Sequence, residues 1–185
     1  MHRLIVTQFC TLDGIVSDPD GADGTAHGGW AFRHGPAAVA EDKFRLGRIM
    51  DDGALLFGRT TWERFARRWP ARTTEFASRM NAAAKLVVSH TDLDTSAWAN
   101  STQLRGDLRS AVCAELTSRD VVLIGSVSVL RELQAQGLVD EYRILTFPSV
   151  VGSGDRLFVG RAVEVSCVGV EQVGAAVLTR YAVQR

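Results

Sequence analysis

The hexapeptide Gly58-Arg59-Thr60-Thr61-Trp62-Glu63 places a glycine, a guanidinium and two hydroxyls ahead of a helix-forming run. A helix start offers free backbone N–H groups and the positive end of the dipole, both suited to phosphate. Arg59 adds a forked donor for a phosphate ester, and Thr60 and Thr61 add hydroxyl donors. The same residues also fit a capping box, with Thr60 as N-cap and Glu63 three positions on. The two readings are compatible, because a capped helix still presents its remaining amides. Gly125-Ser126-Val127-Ser128 is a second segment of this type. Small residues there let a ligand approach the backbone, or Ser126 or Ser128 serves as a plain N-cap. Ser89-His90 follows a third apolar run. Trp30 is suited to stacking on a planar heterocycle or to anchoring its own loop, and Asp13-Gly14 also fits a simple turn.

The elements that would hold these residues can be read from periodicity. Residues 3–10 form an apolar, β-rich strand. Thr11–Gly35 is polar and glycine-rich, too long for a mere connection, and reads as a binding or lid loop closed by Trp30 and Phe32. Pro36 is expected to open a helix running to about Asp51, with Leu46, Ile49 and Met50 on one face. Residues 54–57, 85–89 and 121–124 read as short strands buried on both faces. Helices follow from about Thr60 to before Pro70, through Leu108, Val112 and Leu116, and through Val129, Leu130 and Leu133, the last closed by Gly137 and Leu138. From Val139 the chain turns to strands. One runs over 139–147, and 162–171 and 175–183 make a hairpin about Gly174. Parallel strands would bring the Arg59, Ser89 and Ser126 turns to one carboxyl edge, where open α/β sheets bind ligands.

The chain has 185 residues, 46% hydrophobic and 23% charged, which excludes a disordered or fibrous protein and suits one domain over residues 1–185. Lys plus Arg and Asp plus Glu are 21 each, so the basic excess that a nucleic-acid or acidic-membrane surface needs is absent. Cys10, Cys113 and Cys167 form no CxxC pair, and the histidines lack ligand spacing, so no metal site is expected. The cysteines read as buried thiols of a reducing compartment. Nothing reads as a signal peptide or a membrane span, and a cytoplasmic location is expected. No GxGxxG, GxxxxGK[ST], GxSxG or HExxH motif occurs.

The ordered set Leu12-Asp13-Gly14, GRTTWE with Trp69-Pro70, VVS, IGS before a helix, GLVDEYRI, Pro148 and GSGDRLF resembles the dihydrofolate reductase-like superfamily. Within it, the chain is similar to the RibD C-terminal family, related to the reductase domain of the bifunctional riboflavin-biosynthesis deaminase/reductase. The resemblance implies a three-layer α/β sandwich with a mostly parallel central sheet and a C-terminal antiparallel hairpin. It also implies NADPH as cofactor, a small heterocyclic substrate and a homodimer. Arg59 and Thr61, after Gly58, would contact the NADPH phosphates. Ser89 and His90 would lie by the adenosine 2′-phosphate, and Gly125, Ser126 and Ser128 would line the pyrophosphate. Asp13-Gly14 would lie near the nicotinamide, and Gly152–Asp155, including Gly154, would form a flap-like turn. The superfamily carboxylate on the first helix would fall at Asp42, with Glu41 beside it. Burial beside an apolar ligand would raise its pKa and suit it to proton donation, whereas as plain surface acids both would favour the helix dipole. Val127 stands where many relatives carry glycine. A zinc deaminase is excluded by the lack of an HxE…PCxxC pattern. A reductase, a non-catalytic nucleotide-binding regulator and a scaffold without nucleotide are thus the functional alternatives.

Overall fold

The computed structural model describes residues 2–160 and 162–184. Strand β1 (Leu4–Thr11) belongs to an eight-stranded sheet in the order β4-β3-β2-β5-β1-β6-β8-β7. The chain divides into two compact units within β1: one holds the residues up to Ile5 with Leu46–Val139, the other Val6–Arg45 with the chain from Asp140 onward.

In the first unit, β2 (Ala54–Gly58), β3 (Ala84–Val88), β4 (Ser101–Leu104) and β5 (Val121–Ile124) pair in parallel. The continuous apolar runs become strands for the expected reason: all of β2 is buried, as in a sheet covered on both faces. Short α1 (Ile49–Asp52) precedes β2, α2 (Arg59–Arg68) follows it, and α3 (Glu75–Ala82) leads into β3. Around β5 lie α4 (Leu108–Glu115) and α5 (Val127–Ala135). Helix α2 buries Trp62 and Ala66, four residues apart on one face. Helix α5 closes as expected: Leu138 N–H donates to Leu133 O at 3.1 Å and Gly137 N–H to Gln134 O at 3.0 Å. Lys85 of β3 is 1% exposed. Its Nζ donates to the carbonyls of Asn81, Ala83 and Ala99 at 2.7–2.9 Å and lies 4.5 Å from the Trp98 ring centroid.

In the second unit, β6 (Glu141–Phe147) pairs antiparallel with β8 (Ala176–Val183), and β8 with β7 (Val165–Val173), the hairpin expected about Gly174. Its core contains Trp30, Ala31, Ala38, Leu145, Phe147, Val173, Ala176 and Leu178. Arg143 and Glu141 form a buried ion pair at 2.6 Å, and Arg143 also donates to the carbonyls of Phe44 and Arg45.

Three expectations need correction. The helix over 36–51 is absent: Pro36–Ala38 is a single 3-10 turn, and regular helix appears only at α1. Glu41 and Arg45 take φ 54° and Gly47 φ 52°, which interrupts any helix. The guanidinium of Arg143 satisfies carbonyls of this segment instead. The cysteines divide, with Cys10 buried but Cys113 and Cys167 exposed. Helix α3 and strand β4 were not expected. Thr74 caps α3 by accepting the Ala77 N–H at 3.2 Å, and β4, STQL, is a half-exposed edge strand too polar to show as an apolar run.

Candidate functional site

The parallel register places the carboxyl ends of the first unit's strands at one edge. Gly58 pairs with Val88, Val88 with Leu104, and Leu56 with Leu123. The turn after β2 and the turn after β5 therefore meet. Ser126 Oγ accepts the Gly58 N–H at 2.6 Å and hydrogen-bonds Thr61 Oγ1 at 2.8 Å. The approach is close enough to require small residues: a Cβ on Gly58 would lie 2.6 Å from Ser126 Oγ, and one on Gly125 3.2 Å from the Thr61 methyl. Gly125 and Ser126 both occupy the left-handed region, at φ 61° and 62°.

The four longer helices of this unit start differently. Helices α3 and α4 are capped by the side chains of Thr74 and Asp107. Helices α2 and α5, which follow the adjacent strands β2 and β5, have no side-chain cap. The expected Thr60 capping box does not form, because α2 already begins at Arg59 with Gly58 as N-cap. Glu63 pairs instead with Arg59 Nε at 2.8 Å. Ser126 occupies the N-cap position of α5, but its hydroxyl is turned to Gly58. The first-turn N–H groups of both helices thus have no capping side chain and carry the positive ends of two dipoles. Ser128 is exposed on the first turn of α5, beside half-buried Val127.

Arg59 bridges from this pair of turns to the end of β3, donating through Nη1 to Thr91 Oγ1 at 2.5 Å. Ser89 Oγ donates to Thr91 O at 2.7 Å. Gln103 of β4 holds this turn, donating to Ser89 O and Thr91 O and accepting from Leu93 N–H. Its role was not read from the sequence; a glutamine within a strand is the only hint there. Beyond lies a cavity of about 380 Å³ lined in part by Ser89, His90, Thr91, Asp92, Arg105 and Asp107. The first unit therefore gathers Gly58, Arg59, Thr61, Ser89, His90, Gly125, Ser126 and Ser128 at its strand ends.

The remaining candidates lie in the second unit. The Asp13 carboxylate accepts from Thr11 Oγ1 at 2.6 Å, Gly152 N–H at 2.7 Å and Val151 N–H at 3.3 Å. These bonds, the Thr11 hydroxyl first, hold its pKa below the usual carboxylate value. Gly154 sits in the turn just beyond, where a Cβ would lie 2.5 Å from Ser17 Oγ and 2.7 Å from the Ile15 side chain. The Gly152–Asp155 turn is thus tied to the segment after β1, with Val16 N–H donating to Asp155 O. Burial pushes the Cys10 thiol up to about 11, so it is not a nucleophile at neutral pH. Trp30 was a candidate for stacking on substrate. It is 1% exposed, donates Nε1–H to Ser17 O at 3.0 Å and meets Phe147 edge-on, so it anchors the loop. Glu41 is exposed and Asp42 half-buried, and neither lies on a helix. The buried helical carboxylate expected there is not formed. A His34 Nε2···Ser149 Oγ hydrogen bond of 2.8 Å, also unread from the sequence, ties the long loop to the end of β6. Among the described residues no group of His, Cys, Asp or Glu side chains could hold a metal ion, and no helix is long and apolar enough to cross a membrane.

Among curated proteins, none matches the chain. Solved structures share its fold. A protein from Shewanella sp. PV-4 named for riboflavin biosynthesis superposes with a TM-score of 0.74 at 20% identity, over 99% of each chain. A pyrimidine reductase-like protein from Corynebacterium diphtheriae gives 0.58 at 9% identity, over 100% of this chain and 92% of its own. RibD from Acinetobacter baumannii gives 0.68 at 15%, with this chain covering 58% of it. The family model described as the RibD C-terminal domain matches residues 2–179, nearly the whole sequence, and the chain belongs to that family.

Proposed function

We propose that the chain is a reductase of riboflavin-biosynthesis type, using NADPH to reduce a pterin-like or pyrimidine-like heterocycle or its ribosyl derivative. The observation that carries this reading is the pair of uncapped helix starts, α2 and α5, joined through Ser126 at the carboxyl edge of the sheet. The residues fit a dinucleotide. Gly58 and Gly125 leave the backbone open to close approach, and the adjoining cavity has the size of a small-ligand pocket.

In this reading the first-turn amides of α2 and α5 hold the pyrophosphate, with Thr61 and Ser128 as hydroxyl donors. Arg59 is held ready by Glu63 and Thr91, and its guanidinium contributes charge to the same phosphates. NADPH, when bound, supplies the hydride; the protein supplies binding and orientation. Proton delivery by Asp42, with Glu41 beside it, is what the family resemblance implies, and Asp42 is the more buried of the two. Asp42→Asn is expected to lower kcat while leaving cofactor affinity within about twofold, since it removes a proton and no phosphate contact.

Titration with NADPH, followed by nicotinamide fluorescence, tests the site. Arg59→Ala should weaken binding about tenfold, the cost of one charged contact. No binding of NADPH or NADH at millimolar concentration overturns the reading, and an unchanged affinity with only lower stability favours the scaffold. Val127 at the first position of α5 favours a second reading, binding without turnover, because its branched side chain stands beside the phosphate amides. Steady NADPH oxidation with any pterin or riboflavin precursor excludes that alternative.

A further inference from the structure

We propose that Asp92 and Arg105 set the choice between phosphorylated and unphosphorylated nicotinamide dinucleotide, and hold NADPH and NADH within about tenfold of each other in affinity. The inference rests on the reading that the dinucleotide's phosphates lie at α2 and α5. Arg59 connects that region to the 380 Å³ cavity, because the Thr91 hydroxyl it reaches also lines the cavity. A ligand anchored at the start of α2 therefore has its next moiety, the adenosine, within reach of this space at the ends of β3 and β4.

The charges around the cavity decide what that moiety can carry. Three carboxylates line it, Asp92, Asp107 and Glu132, against one arginine, Arg105, and no lysine. His90 adds an imidazole ring to the lining. Arg105 is already engaged: its Nη1 donates to Asp92 Oδ1 at 2.8 Å. Asp107 is committed to α4, accepting the Ser110 N–H and hydroxyl at 2.8 Å, which hold its pKa low and its charge in place. A 2′-phosphate, carrying nearly two negative charges, would meet this excess of carboxylates and compete with Asp92 for the arginine. A 2′-hydroxyl meets the opposite situation, since Asp92 is an acceptor of the kind that binds a ribose hydroxyl in dinucleotide sites. The Arg105–Asp92 pair is largely exposed, at 73% and 87%, so it is held weakly and Arg105 can turn to a phosphate at small cost. Neither dinucleotide is then strongly excluded.

The test measures dissociation constants for NADPH and NADH by nicotinamide fluorescence, at low and high salt, on the wild type and two variants. Asp92→Asn frees Arg105 and removes a carboxylate from the lining, and should tighten NADPH about threefold while leaving NADH equal or slightly weaker. Arg105→Gln should weaken NADPH about tenfold and leave NADH within about twofold. Both shifts should shrink at high salt. Both side chains are exposed, so the variants should keep the wild-type melting temperature, which is checked first. A wild-type preference for either dinucleotide beyond about tenfold overturns the proposal, as does a ratio that neither variant moves. Failure of the wild type to bind either dinucleotide is a separate result: it removes the cofactor reading itself, and the selectivity falls with it.

Discussion

Ser126→Ala deletes both the acceptor of the Gly58 N–H and the hydroxyl partner of Thr61. A buried amide left without a partner costs about 1–3 kcal/mol, so the melting temperature is expected to fall and NADPH affinity to drop with it. Ser126→Gly relieves a left-handed residue at φ 62° but loses the same bonds, and should fall between wild type and Ser126→Ala. Asp13 makes a different prediction. Its folded pKa lies below that of the unfolded chain, so its contribution is complete above the ordinary carboxylate value, about 3.9, and is lost as pH falls through the folded value. Asp13→Asn should flatten the acid limb of stability against pH, measured by urea midpoints. The sequence shows small residues at Gly125-Ser126 and an Asp-Gly at 13–14. It does not show that the Ser126 hydroxyl turns away from its own helix, nor that Asp13 grips amides more than a hundred residues away.

Among the elements, β3 carries a group whose titration can be followed. The chain has two lysines, Lys43 and Lys85. Burial lowers Lys85 from 10.5 to about 8. Between those values the unfolded chain binds more protons, so stability climbs as pH rises from 8 and the full gain is reached above 10.5. The shift corresponds to about 3 kcal/mol over the whole window. Cys10 works in the opposite sense from pH 9 toward 11, because its folded thiol keeps its proton longer. Denaturant midpoints between pH 8 and 9 therefore report Lys85 most directly. Lys85→Met should abolish that climb and lower stability at pH 7, since three carbonyls lose their donor. The apolar runs at 54–57, 85–89 and 121–124 were legible because the strands they form, β2, β3 and β5, are largely buried. The segment 36–45 was not, because Arg143, far along the chain, satisfies its carbonyls and periodicity cannot register such a partner.

At the scale of the molecule, the sheet ends in β4 in the first unit and in β7 in the second. Val165, Val168 and Val170 of β7 are exposed, and a bulge between Cys167 and Gly169 and the charged Glu171 work against pairing there. The homodimer that the family resemblance implies can be tested here. Wild type should sediment at twice 20.1 kDa, and Val168→Lys should restore the mass of one chain. A wild-type monomer at tens of micromolar sinks that expectation.

The sequence by itself determined the buried strands at 54–57, 85–89 and 121–124, the helices that follow them, the parallel-then-antiparallel texture and the small-residue turns at 58 and 125. Each of these follows from local pattern: apolar runs, helical spacing and glycines at strand ends. Only the tertiary structure decided which helix starts are uncapped, that Trp30 is an anchor, that residues 36–45 are not helical, and that the cavity's arginine is already paired. These outcomes depend on side chains brought together from distant positions by the sheet register, and no local window of the chain contains both partners.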